Sequence, residues 1–372
     1  LLILGVAFDE TCVVVFCSCY IMSKPQEPHR PFFHFGNPFR AISPKGSKLS
    51  SRLVFLLATF EDSLAQKLSK LTPKSDNDVF SFLWMGLAMK LLCEIHNDVK
   101  TLIGDLELPV SDWGEKWLDE YLDISVKLLD ICNDFSSDLS QLNQGHLILR
   151  CALHNLASTS SNQFVPARSS LDAWNQHISS RTSRVENRSP IMDHFEELLD
   201  LPKVKNSPKG KVLMQVMYGV KVATLFICSV FAYAFSGSSK RLLSINVPDT
   251  YRWAQAFTEL QKNVNMGIKI NHSSGRFTAL RDLNAVDERV KKLHSMIQEN
   301  IDGGMKVEEC QNLIVDLRSE AEKLTQGVDH LTKQVDEFFY IVLSGRDALL
   351  SNLRSSETVF DQGMEGLSTR QP

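Results

Sequence analysis

Apolar side chains recur at three- and four-residue steps along most of the chain, the spacing that lines one face of an α-helix. Leu49, Leu53, Leu56, Phe60, Leu64, Leu68 and Leu71 form the first stripe, which Pro73 closes. Phe80, Leu83, Leu87, Leu91, Ile95, Val99, Leu102 and Leu106 form a second, which ends before Pro109. A third carries Trp113, Trp117, Tyr121, Ile124, Leu128, Ile131, Phe135 and Leu139, with Asp112 and Glu115 spaced as a capping box and Gly145 as a bend before a run to Leu156. A polar loop is expected over Ser158–Gln163 and a shorter helix over Ser170–Ile178, with Leu171, Trp174 and Ile178 on one face. Ser179–Ser189 is basic and serine-rich and reads as a linker. Ile191–Leu201 reads as a short amphipathic helix stopped near Pro202.

The last third predicts helices over Tyr251–Ile270, Phe277–Glu299 and Val307–Arg354, separated by the Asn271–Gly275 turn and by Gly303-Gly304. The final one holds the clearest period. Cys310, Ile314, Leu317, Ala321, Leu324, Val328, Leu331, Val335, Phe338, Val342 and Leu349 follow a four-three spacing, with Gly345 at one seam position. That is a heptad seam, which a neighbouring helix of the same chain or a second chain can cover. Neighbours of similar length favour the first. β-Branched residues nowhere alternate over a useful length. The expected fold is therefore all-α: an elongated multi-helix bundle of long antiparallel amphipathic helices with a C-terminal coiled-coil-like helix.

The segment Val212–Phe235 breaks the amphipathic rule. Gln215 and Lys221 are its clear polar interruptions, and its length would span a bilayer. Lys221 near the centre costs about 2.5–3.5 kcal/mol on insertion scales. Without it the apolar run Val222–Phe235 is of a length that suits a buried core helix. Lys203, Lys205, Lys209 and Lys211 on the N-terminal flank would suit a cytosolic membrane face. The core reading is favoured, and a peripheral membrane contact is compatible with either.

Ahead of the helices lies a tail, residues 22–48, rich in proline, phenylalanine and basic residues. Its Phe32, Phe33, Phe35 and Phe39 sit among Arg30, Arg40 and Lys45, so it either folds back on the core or docks on a partner or anionic lipid. Residues 1–21 are read as an upstream-derived extension, because Met22 offers a natural start, Asp9 and Glu10 interrupt the apolar run, and no basic n-region precedes it. The domain reading is then the tail, a helical domain over 49–354, and a flexible end over 355–372.

Composition narrows the function. Of 372 residues 43% are apolar and 23% charged, which allows a sizeable core. The net charge of −4 gives no bias toward polyanions, and outside the tail no basic stripe is interleaved with aromatics, so no nucleic acid partner is expected. Eight scattered cysteines without a repeated C-x-x-C fit reduced, buried thiols. Cys93 and His96 are spaced as half a zinc site, yet no second pair matches, and a buried thiol beside a hydrogen-bonded histidine is the expectation. Ser207–Lys211 ends in Gly-Lys but lacks the earlier glycine and the Ser/Thr of a phosphate loop. Asp193, His194, Glu196 and Glu197 read as a solvated helix face. Ser43-Pro44, Ser189-Pro190 and Ser207-Pro208 are weak phosphorylation candidates. No catalytic residue, cofactor or metal is expected; the candidate contacts with a partner or membrane are the four tail phenylalanines with Lys209, Lys211 and Lys221.

Specific strings then carry a resemblance. "PHRPFFHFGNPFR" (Pro28–Arg40), "LCEIHNDVKTLI" (Leu92–Ile103), "LELPVSDWGEKWLDEYLDISVKLLDIC" (Leu106–Cys132), "LNQGHLIL" (Leu142–Leu149), "LPKVKNSPKGKVLM" (Leu201–Met214), "FSGSSKRL" (Phe235–Leu242) and "LSGRDALLSNLR" (Leu343–Arg354) are similar to the plant BYPASS proteins. The resemblance covers nearly everything from Met22 to about Arg354. It implies a plant-specific, non-enzymatic helical protein needed for normal root and shoot development, which restrains production of a mobile root-derived signal linked to carotenoid metabolism. ROH-type relatives imply an alternative, an adaptor tied to the exocyst and secretion. A binder or enzyme of an apolar metabolite is a further alternative. The expected location is the cytosol and the cytosolic face of membranes, with a single pass through 212–235 or a plastid as alternatives. A transit peptide is not obvious, since the tail holds Glu27, many prolines and few hydroxyl residues.

Overall fold

A computed structural model describes residues 49–73, 75, 78–106, 116–157, 164–185, 208–236, 244–273, 279–301 and 307–368. The aromatic tail with Phe32, Phe33, Phe35 and Phe39, the Asp112–Glu115 capping box, the Ser158–Gln163 loop and the Ile191–Leu201 helix lie outside the described residues. Those described form helices α1 (Ser51–Leu71), α2 (Phe82–Leu106), α3 (Lys116–Ala157), α4 (Phe164–Val185), α5 (Pro208–Ser236), α6 (Ala254–Ser273), α7 (Arg281–Ile301) and α8 (Val307–Ser368), with no strand among them.

The expected stripes are the buried ones. Phe60, Leu64, Leu68 and Leu71 of α1 face inward, as do Ile124, Leu128, Ile131, Phe135 and Leu139 of α3. Ser50 caps α1, its hydroxyl accepting the Leu53 N–H at 3.4 Å and satisfying one of the donors a helix start leaves without a partner. Ser81 caps α2 in the same way, its hydroxyl accepting the Trp84 N–H at 3.2 Å, and a further cap is tertiary. Asp282, in the first turn of α7, accepts the Phe82 N–H at the head of α2 at 2.7 Å. Just before it, Phe80 holds a left-handed backbone (φ 67°), and its carbonyl accepts the Arg281 N–H at 3.2 Å. A buried phenylalanine in that region is strained, and packing fixes it: its ring lies 5.2 Å from that of Tyr233.

Contacts across the bundle give the direction of each pair. Ser63 and Lys67 of α1 meet Asp98 of α2, while Arg52 reaches Asp105, so α1 and α2 are antiparallel. Antiparallel pairing also joins α3 to α4, through Gln141–His177 and Asn155–Ser170. The α3–α8 pair, through Leu122–Arg346 and His146–Thr325, runs the same way. Other pairs depart from the antiparallel expectation. Phe82, Gly86 and His96 of α2 meet Gly327, His330 and Phe338 of α8 in rising order, so α2 and α8 run parallel. Given the antiparallel α2–α5 pair (Phe80–Tyr233, His96–Thr224), α3 and α1 each run parallel to α5 as well.

Four expectations need correction. Gly145 does not interrupt α3; a Cβ there would sit 3.1 Å from Trp174 and His177, so the missing side chain admits α4. α4 is longer than Ser170–Ile178 at both ends, starting at Phe164 and taking in the supposed linker up to Val185. Pro166 is tolerated because the first-turn N–H groups have no helical acceptor. Pro208 likewise opens α5, ahead of the apolar segment expected from Val212. Finally, α8 continues past Arg354 to Ser368, giving 62 residues and a length on the order of 90 Å.

The seam of α8 is buried from Cys310 to Leu349, with Leu313 rather than Ile314 turned inward near its start. It is covered within the chain by α2, α3 and α7. The apolar helix α5 is the most completely buried. Its eighteen most apolar consecutive residues are 89% inside the protein, and Lys221 is only 3% exposed. A chain this well covered by its own helices fits the core reading of Val212–Phe235.

Candidate functional site

Where α2, α3, α5 and α8 come together the packing leaves a cavity of about 250 Å³. Small residues form part of its α8 wall. Gly345 occupies a seam position of α8 at which every heptad neighbour is larger, and Ala348 adds little bulk one turn on. Tyr121 of α3 leans into the space, its phenol oxygen 2.8 Å from where a Cβ on Gly345 would stand. No side chain fits at 345 without moving that ring.

The floor is apolar. Val99, Ile124, Leu128, Val220, Val342 and Leu349 are all buried there. Polar groups on it are few: Lys221 and Thr224, one turn apart on α5, with Ser125 on α3. Asn97, Lys100, Ser344 and Ala348 are exposed and form the mouth. No Asp or Glu is among the lining residues. The wall is held together by Arg346, whose guanidinium donates to the Leu122 carbonyl at 2.7 Å and to the Ser125 hydroxyl at 3.1 Å, fastening α8 to α3.

His96 lines the same cavity. Its Nε2 lies 3.2 Å from the Thr224 hydroxyl, and its ring stands edge-on to Phe338 at 5.0 Å. Loss of solvent lowers its pKa to about 4, so the imidazole is neutral at physiological pH. Burial also raises the Tyr121 phenol. The site therefore presents two lysines, one buried and one at the mouth, with hydroxyl groups and a neutral imidazole against hydrocarbon. Thr224 and His96 form a hydroxyl–imidazole pair, with no lining carboxylate to orient the imidazole.

Of the candidate contact residues among those described, Lys221 lines this cavity and Lys209 and Lys211 do not. Lys209 and Lys211 sit half-buried in the first turn of α5, roughly 15 Å or more along the helix from Lys221. Cys93 is buried with its thiol pushed up to about 12, first by desolvation, and no group of three His, Cys, Asp or Glu among the described residues can hold a metal. The C-x-x-H pair is a buried thiol and a hydrogen-bonded histidine. Sequence reasoning passed over Tyr121, Ser125, Thr224 and Ser344, whose hydroxyls look like ordinary helix residues. Two signals were available: a lysine in an apolar helix and a glycine in a heptad seam. They meet at one place.

Fold and site together define an all-α bundle protein enclosing an apolar cavity with a buried amine at its floor. The chain belongs to the BPS1 family: the family model described as "Protein BPS1" matches residues 89–339, as the BYPASS-like strings imply. It is 52% identical over 334 residues to "Protein BPS1, chloroplastic" of Arabidopsis thaliana, covering 90% of this chain and 94% of that one. "UPF0496 protein 4" of Oryza sativa subsp. japonica is 34% identical over 446 aligned positions, with 90% and 98% covered. "Protein ROH1D" of Arabidopsis thaliana is more distant, 20% identical with 82% and 89% covered. No solved structure matches.

Proposed function

We propose that this protein is a plant developmental regulator of the BYPASS type, which restrains production of a mobile root-derived, carotenoid-linked signal and acts through protein contacts rather than as a catalyst. The observation that carries the reading is the 52% identity to the Arabidopsis BPS1 protein across 90% of the chain. The long solvent face of α8, where Lys333, Asp336 and Tyr340 are exposed opposite the buried seam, supports the protein-contact part, since such faces suit partner helices. The word chloroplastic in that relative's name supports the plastid alternative over the cytosolic one. A second reading, an adaptor of exocyst-dependent secretion at a membrane, has the distant likeness to Protein ROH1D in its favour.

The test is complementation. Expressed in Arabidopsis plants lacking Protein BPS1, this chain restores root and shoot growth, and a rescued root grafted beneath a normal shoot no longer arrests it. Plants that accumulate the protein and stay arrested refute the reading. Lys333→Glu with Asp336→Lys should weaken capture of partners from plant extract without loss of helix content; unchanged capture removes α8 as the contact face. A fluorescent fusion found outside plastids in the rescued plants would reject the plastid location.

A further inference from the structure

Protein interiors hold few voids larger than a water molecule, so the space enclosed by α2, α3, α5 and α8 with Tyr121 in place calls for an occupant. Volume sets its size. A cavity of about 150 Å³ takes benzene, so about 250 Å³ accommodates on the order of ten non-hydrogen atoms. Lining chemistry sets its kind. Val99, Leu128, Val220 and Val342 present hydrocarbon. Polar groups of the lining are largely committed within the protein. The Ser125 hydroxyl donates to the Leu122 carbonyl at 2.7 Å and accepts from Arg346 at 3.1 Å. Ser344 donates to the Ile341 carbonyl at 3.1 Å, Thr224 pairs with His96, and Lys221 is engaged as well. An anion at this depth would have to displace the partner of that lysine or lie buried without a counter-charge, which is costly. The Tyr121 phenol differs. It lines the cavity from α3, and among the described residues its hydroxyl has no hydrogen-bond partner. A donor so placed gains from an acceptor brought beside it.

We propose that this cavity binds a small neutral carbonyl compound, its hydrocarbon body against the apolar floor and its oxygen accepting from the Tyr121 hydroxyl. The imidazole of His96, neutral because desolvation lowers its pKa to about 4, keeps the facing wall uncharged. Entry is past Ala348 and Lys100, the exposed residues of the mouth.

The experiment is calorimetric titration of the full chain with three probes of about the required size: acetophenone, α-methylstyrene, in which a methylene group replaces the carbonyl oxygen, and the benzoate anion. Acetophenone should bind at a single site, and benzoate about tenfold more weakly or not at all, because its charge must leave water. Tyr121→Phe should weaken acetophenone about fivefold, the margin of one hydrogen bond, and leave α-methylstyrene unchanged. Val220→Phe fills the space from the floor and Ala348→Trp obstructs the mouth; each should weaken acetophenone and α-methylstyrene alike. No saturable binding of acetophenone, benzoate binding as tightly as acetophenone, Tyr121→Phe leaving acetophenone unchanged or weakening both neutral probes equally, or acetophenone binding untouched by the two filling variants each overturns the proposal. Circular dichroism identifies a filling variant that fails to fold, and the Tyr121→Phe comparison, which removes only a hydroxyl, then decides.

Discussion

Two glycines on facing helices allow one substitution to be tried in two settings. Gly86 of α2 and Gly327 of α8 lie at the same parallel interface, each inside a helix. In helix interiors alanine is favoured over glycine by about 0.5–1 kcal/mol, so each change begins with the same intrinsic gain. What a new Cβ meets decides the sign. At 86 it would approach His330 Cδ2 at 2.8 Å and Nε2 at 2.9 Å; that imidazole is the far end of an exposed side chain and swings aside. At 327 it would meet Phe82 Cβ at 2.8 Å, with ring atoms at 3.2 Å. Phe82 cannot yield in the same way: it is 1% exposed, and its own N–H is tied to Asp282. Forcing a methyl into a filled interior costs about 1–3 kcal/mol. Gly86→Ala should therefore stabilise by up to about 1 kcal/mol, and Gly327→Ala should destabilise by about 1–2 kcal/mol after its propensity gain is subtracted. Urea unfolding followed by far-UV circular dichroism reads both as shifts in midpoint at unchanged slope. Gly104→Ala, with nothing within 4 Å of the new atom, reports the intrinsic gain near a helix end. If Gly327→Ala stabilises as much as Gly86→Ala, the close approach of α2 and α8 at Phe82 is refuted.

Asp282→Ala removes the acceptor of the Phe82 N–H, while Ser81 still holds the Trp84 N–H, and should cost about 1 kcal/mol in the same urea assay; no change would refute the cross-helix cap. His96 is neutral in the folded protein down to about pH 4 against an ordinary 6.5, so its stabilising contribution is present above pH 6.5 and lost as pH falls toward 4. A pH series of unfolding midpoints should therefore be flatter across that window for His96→Gln than for the wild type, and equal slopes would refute the assignment. Alkylation of the native chain followed by mass spectrometry should mark Cys151, which is exposed, and spare Cys93, Cys132 and Cys228, which are buried with thiols raised by desolvation. Native labelling of Cys228 would show that α5 is not enclosed.

Helix existence was legible because burial here follows the helical period. Leu64 and Leu68, Phe135 and Leu139, Leu317, Leu324 and Leu331 are inside, where their spacing put them. Ends were less legible. Ser179 to Val185 carries the composition of a linker yet is helical, its preceding turns anchored by Trp174 to Asp287 at 3.3 Å and by His177 to Gln141 at 2.9 Å; tertiary contact overrode local propensity. Helix direction was not legible either. The parallel run of α2 beside α8 follows from which stripes meet across distant parts of the chain, Phe82 with Gly327 and His96 with Phe338, and no local spacing encodes that. For the cavity, the sequence showed Lys221 and Gly345 separately as irregularities. Only the register of α5 against α8 makes them neighbours.

The enclosure of α5 has a consequence for how the chain comes into being. On the ribosome, this oily helix emerges before α6, and Phe257, which packs edge-on to Phe226 at 5.2 Å, does not yet exist to cover it. Nor does α8, which walls the space beside Lys221. Until the C-terminal half arrives, α1 and α2 are its main shelter, and exposed apolar surface of this kind invites aggregation or capture by lipid and chaperones. A truncated product ending within α6 or α7 would thus present a greasy rod to the cell, and should partition with membranes although the finished protein keeps that surface hidden.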